Sequence, residues 1–335
     1  MTEFLITFCV VAYNEEKNLG RLLENVYSQS YSHNLIEVIL VDSGSIDATR
    51  NIMEQFQNKY SQEFYGIQVL NNPKRTLPAG WNIVLEHYHG DAVVRVDAHA
   101  EIPKDFLEKN VIHLEAGDFI CGGYRPNIID EDTPWKRVLL AAETSAFGSS
   151  FADFRRKGKN RSVSSVFHGA YKREVFEQVG NYNEMLIRTE DNEIHYRMRK
   201  AGYKIQFYPD IISYEHTRNT IRKMIRQKYE NGYWIGKTLG IVPECISFFY
   251  LVPLFFIIGI AITGILTFFG LWQAGVLMWA IYGITCISMT LAIVWIEPKS
   301  SLCFVLLPAI FFIIHISYGI GTSLGLIQIL LKKGE

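Results

Sequence analysis

Apolar side chains dominate residues 4–11, a run of strand length. The stretch after it, AYNEEKNLGRLLENVYSQ, brings Leu19, Leu22, Leu23 and Val26 back at helical spacing. The alternation then repeats. IEVILVD reads as a second buried strand, SGSIDATRNIMEQF as a turn and helix, GIQVL as a third strand, PAGWNIVLEHY as a helix with Pro78 in its first turn, and AVVRVD as a fourth strand. Buried strands alternating with helices predict crossover units, hence an α/β fold of Rossmann-like type: a mostly parallel sheet flanked by helices. After Cys121 the pattern loosens through GGYRPNIIDEDTPWKR, and FGSSFADFRRKGKNRS is polar, basic and glycine-bearing, the composition of a loop. Order resumes at SSVFHGAYKREVFEQVGNYNE and again at RTEDNEIHYRMRKAGYKIQFYPDIISYEH. The second of these predicts a helix over about 190–201, closed by Gly202, and then a strand.

The C-terminal part reverses the pattern. From 246 to 331 only Glu297 and Lys299 carry a formal charge. Residues 246–270 and 275–295 are each long enough to cross a hydrocarbon core of about 30 Å as a helix. A third run, 302–331, is longer than one crossing needs. A tilt, a bend near Pro308 or at Gly319, Gly321 and Gly325, and a last part lying in the interface are all open to it. Before these runs, Ile221, Met224, Ile225 and Lys228 share one helix face, the pattern of a segment on a membrane surface. The chain thus reads as a water-facing head over 1–216, an interfacial amphipathic segment over 217–243, and a membrane domain of two to three transmembrane helices over 246–331.

Charge gives this arrangement a direction. Arg218, Arg222, Lys223, Arg226, Lys228 and Lys237 precede the first apolar run, the basic flank of a cytoplasmic side, and residues 1–11 lack the basic start of a signal peptide. The head is therefore expected in the cytosol. Lys332 and Lys333 oppose a three-span tail, because they would then finish outside. A net charge of -1 gives no reason to invoke nucleic acid. Five cysteines, scattered singly, have neither zinc-site nor disulfide-framework spacing.

In sheets of this kind, ligands bind beyond the carboxyl ends of the strands, near the point where strand order reverses. Three loops fall there: AYNEE, DSGSID and DAHA, which bring Glu15, Asp42 and Asp97. Each alone could be an ordinary turn acid. Asp47 reads equally as the cap of the helix beginning near Ala48. Asp97 and His99 stand two residues apart at a strand end, a spacing that lets both face one cleft.

Taken in order, AYNEEKNLGRLLENV, VDSGSIDAT, VRVDAHAEIP, HGAYKREVFEQVGNYNE and RTEDNEIHYRMRKAGYKI resemble the family 2 glycosyltransferases of the GT-A fold, inverting enzymes that use nucleotide sugars. The likeness spans most of residues 4–214. It is nearest to bacterial exopolysaccharide enzymes of the succinoglycan ExoA type, which share DAH in place of Asp-x-Asp, the FGSSFADFR loop and a late HISYGIG. The resemblance implies that Ala12, Tyr13, Asn14, Glu15, Asp42, Arg75 and Asp97 bind the nucleotide, and that Asp97 and His99 hold a divalent cation, manganese or magnesium. It places the general base on Asp191, with Glu190 beside it touching the acceptor. Acids in a helix's first turn could instead merely complement its dipole.

His168 and Gly169, and Arg226, Gln227 and Trp234 of RKMIRQKYENGYWIG, are candidates for acceptor binding. For His168 a buried structural role stands beside that reading, and for Trp234 an interfacial one. The donor implied is a UDP-sugar such as UDP-glucose, and the acceptor a polyprenyl-diphosphate-linked saccharide at the inner face of a bacterial cytoplasmic membrane, in exopolysaccharide or capsule synthesis. Two rivals remain: transfer to polyprenyl phosphate, as in the dolichol-phosphate mannose synthases, and a non-catalytic nucleotide-sensing scaffold of a polysaccharide assembly complex.

Overall fold

The computed structural model describes residues 4–148, 155, 158–217 and 220–332. Most of the FGSSFADFR loop, Arg218 and Lys333 lie outside the described residues. The chain divides into two units, one formed by residues up to 126 with 152–216, the other by 127–151 with residues from 217 onward.

In the first unit, β1 (Ile6–Ala12), α1 (Leu19–Tyr27), β2 (Ile36–Asp42), α2 (Thr49–Tyr60), β3 (Gly66–Asn71), α3 (Leu77–His87) and β4 (Ala92–Arg95) follow the alternation expected of the sequence. All seven positions of β1 and of β2 are buried, as strands covered on both faces must be. The apolar stripe Leu19, Leu22, Leu23 and Val26 is the buried face of α1, and Pro78 lies in the first turn of α3, where a missing N–H costs nothing. Next come β5 (Ala100–Glu101), α4 (Phe106–Glu115) and β6 (Ile120–Tyr124) and, after residues of the other unit, β8 (Arg161–Val163), β9 (Ala170–Lys172), α6 (Arg173–Val179), α7 (Glu190–Lys200), β10 (Ile205–Ile212) and β11 (Tyr214–His216). Gly202 follows α7 at φ +94°, a left-handed position that ends the helix as the sequence predicts.

The eight-stranded sheet has the order β3-β2-β1-β4-β9-β6-β10-β8. The chain steps outward from β1 through β2 to β3 and then returns to set β4 on the other side of β1, all four parallel. Strand order therefore reverses between β1 and β4, and the loops leaving those two strands open a crevice between them. Where the sequence pattern weakens, the sheet turns mixed: β9 runs antiparallel to both β4 and β6, and β8 antiparallel to β10. Along β4 and beyond, Ala92, Val94 and Val96 join the core with Phe8 and Val10, while Val93 faces the other core with Trp81 and Tyr182. Arg95 falls on the Val93 face.

The second unit holds β7 (Asn127–Ile128), α5 (Pro134–Thr144), α8 (Ile221–Ile241), α9 (Val252–Phe268), α10 (Trp272–Ile296) and α11 (Leu307–Lys332). Val138, Leu139 and Ala142 of α5 pack with Met224, Leu307 and Phe311, so a stretch the sequence groups with the head clusters with the C-terminal helices. Three segments are long and apolar enough to cross a membrane: Phe248–Phe268, Trp272–Ile296 and Leu302–Leu331. Pro308 sits in the first turn of α11, where its missing N–H leaves no gap, and Gly319, Gly321 and Gly325 lie within one uninterrupted helix.

Those glycines have partners. A Cβ on Gly321 would come within 2.2 Å of the Tyr229 carbonyl oxygen, and one on Gly325 within 2.0 Å of that of Tyr233. Across the seam, Cβ atoms on Gly232 and Gly236 would meet the Tyr318 and Thr322 carbonyl oxygens at 2.0 and 2.1 Å. Contacts advance together along both helices, so α8 and α11 run parallel, backbone against backbone, in the manner of small-residue helix pairs. Of the face expected from the sequence to lie on a membrane, Met224 and Lys228 are buried within this unit.

Candidate active site

The crevice between β1 and β4 collects the polar residues of the first unit. Its β1 side is laced to the loop after β2. The Asn14 N–H donates to Ser45 Oγ at 3.0 Å, Asn14 Oδ1 accepts from the Ile46 N–H at 2.9 Å, and the Ser45 N–H donates to Asp42 Oδ1 at 3.2 Å. Asn14 holds φ +54°, a left-handed conformation that asparagine tolerates better than most residues. Asp47 Oδ1 accepts from the Thr49 N–H at the start of α2, as a cap would, and Oδ2 accepts from the Glu16 N–H, tying the two loops together. Asp42 is buried at the end of β2, Ala12 is buried with its carbonyl accepting from the Ser43 N–H, and Tyr13 stays exposed. Arg75, also at positive φ, lies against Gly44 in the same rim.

On the β4 side the strand stops at Arg95, and Ala98 and His99 form a turn before β5. The two residues expected to share a cation, Asp97 and His99, lie at that turn. His99 Nδ1 lies 3.3 Å from Glu15 Oε1, across the switch point, whereas Asp97 Oδ2 lies 4.0 Å from His168 Nε2. His168 is buried, its Nδ1 is 2.7 Å from Ser213 Oγ, and its Nε2 has no hydrogen-bond partner. Burial pushes its pKa down to about 3, against the pull of Asp97, so the ring is neutral. Its other ring nitrogen, Nε2, lies on the side of Asp97. Gly169 has a packing reason for being glycine, because a Cβ there would meet Tyr171 Oη at 2.7 Å and Val166 Cγ2 at 2.8 Å.

Arg95 was not singled out from the sequence. Its guanidinium is buried, donates through Nη1 to Asp191 Oδ1, and places Nη2 3.4 Å from Glu190 Oε1. Trp81 covers it at 4.6 Å and Tyr182 at 5.7 Å. The signal available was an arginine inside the otherwise apolar strand AVVRVD, since a buried charge is rare unless paired. Glu190 is buried and its Oε2 has no partner; burial, then the neighbouring Asp191, push its carboxyl well above the usual range despite Arg95. Burial works against the Arg95 charge, but Asp191 above all holds it. The first turn of α7 therefore does more than complement a dipole: it delivers two carboxyl groups to one guanidinium.

The structure thus joins Glu15, Asp42, Asp97, His99, His168, Glu190 and Asp191 along one rim. Arg226, Gln227 and Trp234 belong to α8 in the second unit, where Arg226 pairs with Glu230 and Gln227 Oε1 is buried without a partner. Among the described residues no cluster of three or more histidine, cysteine, aspartate or glutamate side chains is set to hold a metal ion. Asp97, His99 and His168 are the oxygen and nitrogen donors at this end of the crevice, a donor set that fits a divalent cation.

A doubly wound α/β domain with carboxylates at its switch point is a nucleotide-binding architecture. The family model for Glycosyl transferase family 2 matches residues 7–180, and the chain belongs to that family. It is 26% identical over 336 residues, 96% of this chain and 97% of the relative, to a dolichyl N-acetyl-alpha-D-glucosaminyl phosphate 3-beta-D-2,3-diacetamido-2,3-dideoxy-beta-D-glucuronosyltransferase of Methanococcus voltae. Over 198 residues it is 28% identical to the succinoglycan biosynthesis protein ExoA of Rhizobium meliloti, covering 57% of each chain. Among solved structures, the mannosyltransferase PcManGT from Pyrobaculum calidifontis, in complex with GDP-Man and Mn2+, superposes with a TM-score of 0.54 at 19% identity, covering 98% of this chain and 86% of that one. Its likeness supports the GT-A fold expected from the sequence.

Proposed function

We propose that the protein is a membrane-anchored, inverting, cation-dependent glycosyltransferase that moves a hexose, glucose, from a UDP-sugar to a polyprenyl-linked saccharide at the inner face of a bacterial cytoplasmic membrane, in exopolysaccharide synthesis. The observation that carries this reading is the placement of Asp97 and Asp191 at the crevice between β1 and β4, Asp97 beside His168 and Asp191 paired within the same unit. The Methanococcus voltae relative supports the lipid-borne acceptor, because its name specifies a dolichyl-linked sugar phosphate and it matches along nearly its full length. The three apolar helices would keep such an enzyme beside an acceptor confined to the bilayer, which raises effective concentration.

In this reading the Asp42 side of the rim binds the nucleoside, with Tyr13 and Arg75 at its edge and Glu15 toward the ribose. Asp97, with His99 and His168 Nε2 beside it, would hold the cation, which as a Lewis acid would offset charge on the departing diphosphate. The acceptor hydroxyl attacks the anomeric carbon from the face opposite the diphosphate. Its proton passes to Asp191, the new C–O bond forms, and the bond to the β-phosphate oxygen breaks with its electron pair leaving on UDP. Glu190, beside the base, would contact the acceptor, and its raised pKa favours the protonated form that can donate a hydrogen bond.

The test is to supply membranes containing the protein with radiolabelled UDP-glucose and, in parallel, with a lipid-linked saccharide or bare polyprenyl phosphate. Label in the lipid-linked saccharide is expected. Label in the bare lipid phosphate would instead select the polyprenyl-phosphate reaction. No labelled lipid from a panel of UDP- and GDP-sugars would end the glycosyltransfer reading.

A further inference from the structure

Arg95 has no place in the assignments above, yet four elements converge to hold it. Its strand continues the apolar run of β4, its N–H donates to the Gly169 carbonyl at 3.1 Å, and its side chain passes between Trp81 of α3 and Tyr182 after α6. The two walls are themselves tied: Asn82 Nδ2 donates to the Tyr182 carbonyl at 3.0 Å, and the Tyr182 N–H donates back to Asn82 Oδ1 at 2.8 Å. The guanidinium is thus locked in direction, and its fork meets the Glu190–Asp191 pair. Of those two, the Glu190 side chain is 3% exposed and that of Asp191 20%, so the acid facing the opening is the one Arg95 grips by one oxygen.

We propose that Arg95 is a positioning residue for the transfer reaction: it fixes the Asp191 carboxylate through Oδ1 so that Oδ2 receives the acceptor proton. The proposal rests on the glycosyltransfer reading. A guanidinium suits the task because it is a permanent donor that cannot take the proton itself, and its planar fork orients a carboxylate, where an ammonium would leave it free to turn. Two residues past Arg95, just beyond the end of β4, Asp97 also acts electrostatically on it. Donor and base sides of the crevice therefore both depend on where the C-terminal end of β4 lies.

A merely structural ion pair would show the same contacts, so the experiment must separate the two roles. Full-length protein in lipid nanodiscs is assayed with UDP-glucose, or whichever nucleotide sugar the wild type turns over, as wild type, Arg95→Lys, Asp191→Asn and the double variant, with UDP affinity measured on each. Arg95→Lys is expected to lower kcat at least about 30-fold with UDP affinity within about twofold of wild type, and to add nothing to Asp191→Asn, since residues acting as one unit are non-additive. Near-wild-type kcat in Arg95→Lys, a parallel loss of UDP affinity, or multiplying effects in the double variant would overturn the proposal. Should Arg95→Lys fail to fold, Trp81→Phe loosens the same cage and is put through the same cycle, with the same outcomes deciding. A wild type that turns over no sugar nucleotide brings down the glycosyltransfer reading and this proposal together, whereas an active wild type with an unaffected Arg95→Lys brings down only this one.

Discussion

The two units bring their elements together by opposite means. In the first, the decisive contacts are made by side chains that would be expensive to bury alone: Arg95 with Asp191, His168 toward Asp97, and Arg125 with Glu215 beneath the ring of Phe167. In the second, α8 and α11 touch where side chains are missing, at Gly232, Gly236, Gly321 and Gly325. The difference follows from what each medium offers. A site that must attract phosphates and move a proton needs charge held in fixed directions, and pairing is what makes buried charge tolerable. Helices in an apolar setting gain little from burying more apolar surface, so close backbone approach is the means left to them.

Breaking the charged arrangement should have the largest effect. Asp191→Asn removes the proposed base while keeping the shape, and transfer should fall about 10³-fold with UDP affinity retained, as read by product formation and nucleotide titration on the same preparation. Equal activity of that variant would remove Asp191 as the base. The glycine seam comes next. Gly236→Leu drives a side chain into the Thr322 backbone, so it should destabilise the second unit by about 1–3 kcal/mol and open α8 to protease in detergent, with UDP affinity of the first unit unchanged. A protease pattern identical to wild type would show that the seam is not what holds α8.

Smaller effects sharpen the same contrast. Ser213→Ala removes the Nδ1 partner of His168 and should weaken manganese binding about 10-fold, measured by the electron paramagnetic resonance of free Mn2+ in the presence of UDP. Unaltered affinity would leave His168 out of the cation site. The smallest concerns His195, buried between Ser165 Oγ and Tyr171 Oη at 3.0 and 2.8 Å, whose pKa burial pushes down to about 3. Below the ordinary histidine value of about 6.5 the unfolded chain takes up a proton that the folded one refuses, so this residue's contribution is lost as pH falls from there toward 3, at up to about 1.4 kcal/mol per pH unit. His195→Gln should flatten that part of the stability profile, and a denaturation series at pH 5 and 7 reads it.

Legibility differed in the same way. The strands β1 to β4, the helices between them and α7 were readable because each repeats apolar positions at its own period, and the loops ending β1, β2 and β4 followed from the rule for parallel sheets. The strands β8 and β9 carried no comparable signal: at three residues each they are shorter than any usable period, and their places depend on neighbours distant in sequence. Arg95 was visible as an anomaly in AVVRVD, but no local pattern could say which acid it meets, since Asp191 is 96 residues away. His168 shows the limit most clearly: no local spacing could say that it comes to within 4.0 Å of Asp97, 71 residues earlier in the chain.

What the sequence determined by itself was therefore periodic or compositional: an α/β head, three apolar C-terminal runs, and acids at the strand ends. Those features repeat within a few residues and record how each segment meets water or core. Tertiary structure alone decided which imidazole faces Asp97, which guanidinium grips Asp191, and that α8 lies along α11. Each of those pairings joins segments far apart in the chain, where only the order of strands and the closeness of two backbones fixes the partner.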